Sequence, residues 1–137
     1  MSFSNSNYST RVTRKRDSEG KGAVIVKAIA GTGISALQVV YEEDSLIYPL
    51  SYDDADHVMQ LLGIAVTGGV AGTPIEVQRY GKIEDSGWSW ALGRIWLGLS
   101  GSLTQVAPAD NFDVLIADAV SPTEIVLNIQ DPIEWSI

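Results

Sequence analysis

From residue 23 onward the apolar positions come in short runs separated by Gly, Ser, Asp and Pro. "AVIVKAIA" (23–30) is β-branched and apolar, a pattern that predicts a strand. "GTG" at 31–33 predicts a turn, "ALQVVYEE" (36–43) a second strand, and "SLIYPL" (45–50) a short extended piece in which Pro49 marks an edge or an end. "SYDDADHVMQLLG" (51–63) is the single stretch with helical signals. Ser51 stands where an N-cap would, Asp53 and Asp54 suit a helix N-terminus, and Gly63 suits its end.

β signals then dominate. "GIAVT" (63–67) leads through the loop "GGVAG" into "TPIEVQRYGKIED" (73–85). There Ile75, Val77 and Arg79 alternate with Glu76, Gln78 and Tyr80, and Gly81 interrupts the alternation as a bulge would. "RIWLG" (94–98) and "SLTQV" (102–106) flank "LSG"; "FDVLIADAV" (112–120) and "EIVLNIQ" (124–130) flank "SPT"; "DPIEWSI" ends the sequence. About eight to ten short strands with one short helix predict an all-β fold, a small antiparallel barrel or sandwich. "LGIAVTGGVAGTPIEVQ" and "LIADAVSPTEIVLNIQ" echo one another as strand, turn and strand: two similar hairpins in one barrel, or the general likeness of hairpins.

The stretch "GWSWALGRIWLGLSG" (87–101) sets three tryptophans among glycines. Glycines suit barrel corners, and tryptophans seal the ends of a barrel or the gap between sheets. Trp88 and Trp90, two apart, would share a strand face, with Trp96 packed on them across a hairpin at "ALG" (91–93). This reading makes Trp88, Trp90 and Trp96 core or interface aromatics. The alternative is an exposed platform for sugar or single-stranded nucleic acid.

The length of 137 residues fits one domain that buries roughly two thirds of its unfolded surface. Without cysteine, disulfides and thiolate metal sites are excluded. No apolar stretch is long enough for a membrane-spanning helix, and the N-terminus lacks the apolar core of a secretory signal, so the expectation is a soluble protein made in a cytoplasm. Charge divides the chain more sharply. Residues 1–27 carry six bases and two acids, net +4, whereas residues 28–137 carry three bases and fifteen acids, net −12. Residues 1–22 hold almost nothing apolar. They form a flexible or partner-ordered basic arm on a single β domain (23–137), with Arg11, Arg14, Lys15 and Arg16 as its partner-binding residues. The acidic body disfavours nucleic acid.

Catalytic chemistry is sparse. His57 is the only histidine and no Gly-x-Ser-x-Gly elbow occurs; the expectation is a surface residue eased by Asp53, Asp54 or Asp56. Those three aspartates lack the central glycine and final glutamate of a calcium loop, and neither "GTG" nor "GGVAG" has the lysine and helix of a phosphate loop. No catalytic residue, metal site or cofactor is assigned.

The succession "LGIAV", a Gly-rich gap, "IEVQRYGKIED", "WSWALGRIWLGLSGSLTQVAP" and "IADAVSPTEIVLNIQDPI", over about residues 39–133, resembles small β-rich structural proteins of tailed bacteriophages. The resemblance implies a non-enzymatic virion protein, often a homotrimer, acting as an oligomeric adaptor or anchor in the tail-fibre or baseplate attachment apparatus. Its partners would be itself and other virion proteins. Capsid decoration is the alternative it leaves open. A carbohydrate-binding module using Trp88, Trp90 or Trp96 is the alternative of another class.

Overall fold

The structure is a computed structural model and describes residues 11–16 and 22–135. Thirteen strands are present among them: β1 (Arg11–Arg16), β2 (Gly22–Ala30), β3 (Val39–Glu43), β4 (Leu46–Pro49), β5 (Leu61–Ala65), β6 (Pro74–Tyr80), β7 (Lys82–Glu84), β8 (Gly93–Leu97), β9 (Leu103–Thr104), β10 (Phe112–Asp113), β11 (Leu115–Ser121), β12 (Glu124–Leu127) and β13 (Ile133–Glu134). The fold is all-β, as the spacing of apolar runs predicts.

Five strands close on themselves in the order β2-β4-β3-β5-β6 and back to β2. All pairings in this barrel are antiparallel except β2–β4, which is parallel and only two residues long. A five-stranded barrel has a narrow interior, filled by mixing small and large side chains. Alternation along β2 turns Val26, Ala28 and Ala30 inward, where they meet Val40, Ile47, Ala65, Ile75 and Val77. Gly63 marks a tight seam between strands. A Cβ there would overlap the Gln78 carbonyl oxygen and sit 2.9 Å from Val77 Cγ1.

A second sheet, β7-β12-β11-β8-β9, packs its apolar face against the outside of the barrel. Ile83, Ile95, Leu97, Ile125 and Leu127 come from this sheet; Val39 and Ile64 come from the barrel. The chain passes from barrel to sheet at Gly81, whose φ of +96° lies in the left-handed region that glycine tolerates. The interruption seen in the sequence is therefore a switch between sheets, not a bulge within one strand. The two echoing sequences are hairpins, β5–β6 in the barrel and β11–β12 in the second sheet. Strands β10 and β13 form a separate two-stranded pair.

One sequence expectation needs correction. The helix expected over 51–63 shrinks to one 3-10 turn, Val58–Gln60, preceded by non-helical turns. Its N-cap is His57 without a side-chain cap, and Ser51 Oγ instead accepts a hydrogen bond from the Ser100 N–H at 2.7 Å. Leu61–Ala65, which would have ended the helix, pairs with β3 and β6 instead, so tertiary pairing overrides local helical signals. The arm expected over residues 1–22 contains a strand. Arg11–Arg16, inside the expected arm, pairs antiparallel with β2 of its own chain. Residues 1–10 and 17–21 of that arm lie outside the described residues.

Candidate functional site

His57 sits between two carboxylates. Its Nδ1 lies 2.8 Å from Asp54 Oδ2 and its Nε2 lies 3.1 Å from Glu43 Oε1. The ring stacks on Tyr41 at 4.2 Å and 13°, and Tyr41 in turn stacks on Tyr48 at 5.4 Å. The hydrogen bond to Asp54 raises the His57 pKa above its ordinary value, the charges of Asp54 and Glu43 add to this, and partial burial opposes it. Burial, then the charges of Asp54 and Glu43, raise the Tyr41 phenol. Of the three aspartates considered from sequence, Asp54 is the one that holds the histidine; Glu43, from β3, is a partner that sequence distance concealed. Both ring nitrogens are engaged, so the cluster clasps the 51–60 segment to β3.

The three tryptophans of 87–101 do not form one cluster. Residues 85–92 are irregular, and the hairpin expected at 91–93 is absent. The segment instead lies along the β11–β12 turn: Asp85 N–H donates to Thr123 O at 3.0 Å and Trp90 N–H to Pro122 O at 2.9 Å. The Gln105 amide clamps Ala91, accepting from its N–H at 3.1 Å and donating to its carbonyl at 2.7 Å. Trp88 and Trp90 are half-buried, 5.6 Å apart and tilted by 54°, and pack on the core between barrel and sheet. Trp96 faces the other way. In β8, Ile95 and Leu97 are fully buried, so Arg94 and Trp96 occupy the opposite, outer face of the sheet. That parity was available in "RIWL": two aliphatic residues inward oblige the arginine and tryptophan outward.

A groove of about 450 Å³ opens beside Trp96 on this outer face. Its floor includes Leu115, paired directly with Trp96 in the sheet. One wall is the strap after β12, whose backbone is fixed by Asn128 N–H to Ile116 O (2.8 Å) and Gln130 N–H to Leu115 O (3.1 Å). Asn128 is oriented on both sides, donating to Asp118 Oδ2 at 3.2 Å and accepting from Gln130 Nε2 at 2.7 Å. Beyond the strap, β13 pairs Ile133 with Asp113 of β10, and Trp135 Nε1–H donates to Asp113 Oδ1 at 3.0 Å. Of the body's three bases, Arg79 donates to Leu62 O at 2.8 Å and Lys82 lies 3.9 Å from a Glu124 oxygen. Arg94, on the groove, makes no ion pair among the described residues, and neither does Asp131, which also lines it.

The other surface feature is the edge of β1. β2 pairs with β6 along one side, while β1 (opposite residues 22–27) and β4 (opposite 29–30) share its other side. β1 is therefore the outermost strand of its sheet, and its far edge has no strand partner among the described residues. Arg11, Arg14, Lys15 and Arg16 all fall on this one strand, against a body of net −12. Among the described residues no group of three or more His, Asp or Glu is placed to hold a metal ion, and no helix is long and apolar enough to cross a membrane. No protein-family description and no curated protein sequence matches the chain.

Proposed function

We propose that the chain is a non-enzymatic structural subunit that assembles with copies of itself, as an adaptor in the tail-fibre or baseplate apparatus of a virion. The observation that carries the assembly reading is the open β1 edge. Four cations in six residues stand on a strand whose far side has no strand partner among the described residues, beside a strongly acidic body. An unprotected edge is a template for pairing with another chain. Two β1 edges meeting each other would set four cations against four. Charge thus opposes a two-fold, edge-to-edge dimer and favours a head-to-tail contact, the basic edge of one copy on the acidic body of the next. Head-to-tail contacts close into a ring where the rotation between copies permits, and otherwise extend as a filament; a closed ring is the form that fits the trimer the sequence resemblance implies. The place in a virion is supported by the succession of segments over residues 39–133.

The test is a charge reversal. Arg11→Glu, Arg14→Glu, Lys15→Glu and Arg16→Glu together are expected to convert the oligomer to monomer in sedimentation velocity, with the far-ultraviolet circular dichroism unchanged. High salt is expected to weaken association of the wild-type chain in the same direction, because exposed charges are screened over about 10 Å at 0.1 M. An oligomer indifferent to both treatments contradicts the reading.

A further inference from the structure

We propose that the groove beside Trp96 is a binding site for a neutral oligosaccharide. The inference stands apart from the assembly reading, since it concerns the face of the second sheet and not the β1 edge. The groove volume of about 450 Å³ falls within the range of roughly 300–1,000 Å³ typical of small-molecule sites. Its chemistry is that of a polyhydroxyl ligand. The half-buried indole of Trp96 offers an apolar plane for the C–H face of a sugar ring. Around it stand donors and acceptors together: the Arg94 guanidinium, the Asp131 carboxylate and the Gln130 amide. A hydroxyl both donates and accepts, so it uses such a mixed set fully.

Charge narrows the ligand. The groove is lined by one cation, Arg94, and two carboxylates, Asp113 and Asp131; Asp118 is paired opposite Arg94 in the sheet, and the whole body is acidic. Anionic sugars and nucleic acid are repelled by this field. A peptide strand is disfavoured by position, because the groove lies on a sheet face, where backbone ladders are already satisfied. The polar lining is also held in place, by the Asp118–Asn128–Gln130 chain and by the Trp135–Asp113 bond. Preorganised polar groups lower the ordering cost of binding.

The experiment follows the four indole N–H resonances of the 137-residue chain, labelled with nitrogen-15, during titration with maltohexaose, cellohexaose, chitohexaose and mannohexaose. An oligogalacturonate serves as the anionic comparison. The Trp96 resonance is assigned from Trp96→Phe. The expected result is a saturable shift at Trp96 with at least one neutral oligosaccharide in the millimolar range or tighter, and none with the oligogalacturonate. Trp96→Ala is expected to weaken that binding about tenfold or more, equivalent to about 1.4 kcal/mol. Arg94→Ala and Asp131→Ala, both at exposed positions, are each expected to weaken it severalfold without touching the fold. No shift at Trp96 with any neutral oligosaccharide overturns the proposal, as do binding unaffected by these exposed substitutions and equal binding of the anionic sugar.

Discussion

Gln78 is the buried polar side chain among the described residues, with 6% of its surface exposed. Its Nε2 donates to Tyr80 O at 2.8 Å and to Lys82 O at 3.1 Å, spanning Gly81 where the chain leaves the barrel. The alternation in "IEVQRY" placed Gln78 on a polar face, but that face is covered because the second sheet packs outside the barrel. Gln78→Leu keeps the volume and removes the donor from two carbonyls. The expected loss is about 1–3 kcal/mol, read from urea unfolding. His57 gives a pH prediction. Its folded pKa is raised above the unfolded value of about 6.5, so its contribution to stability is complete below that value and is lost as pH rises through the folded pKa. A ring-proton titration should find the His57 midpoint above 6.5, and Asp54→Asn should lower it by removing the principal cause. A midpoint unchanged by Asp54→Asn contradicts the clasp.

At the scale of elements, strands were readable and their connections were less so. β2, β6, β8, β11 and β12 follow runs of β-branched and alternating residues, because each buries one face on a barrel interior or between sheets. The β3–β4 hairpin was obscured by its turn. Asp44 and Ser45 both adopt positive φ, 54° and 69°, in a two-residue connection between paired Glu43 and Leu46. That geometry usually selects Asn-Gly or Asp-Gly, and serine at its second place hides the signal. Ser45→Gly should therefore be neutral or stabilising by about 1 kcal/mol in thermal unfolding; a clear loss would mean that the serine side chain contributes to the turn. The irregular path of 85–92 had no signature of its own. It is set by partners far along the chain, at 105 and 122–123, so nothing in the local pattern placed Trp88 and Trp90. The outward placement of Arg94 and Trp96 was readable from parity, but the strap that makes a groove of that face comes from residues 128–133, whose position only the folded chain reveals.

The whole molecule combines a closed barrel, a sheet laid over it and, among the described residues, an open edge at β1. Closure leaves the barrel strands other than β2 fully enclosed within the ring, so the unpaired backbone gathers at β1 and at the rims of the second sheet. Charge asymmetry, visible in composition as +4 against −12, acquires a place only once the four cations are seen to lie on that edge strand. The assembly claim thus joins a property of the sequence to a property of the topology. The mass of the wild-type chain in solution at low ionic strength, by light scattering coupled to size exclusion, tests it most directly. The account predicts about three times the 14.7 kDa chain mass, a ring of head-to-tail copies. A monomer at every concentration examined contradicts it.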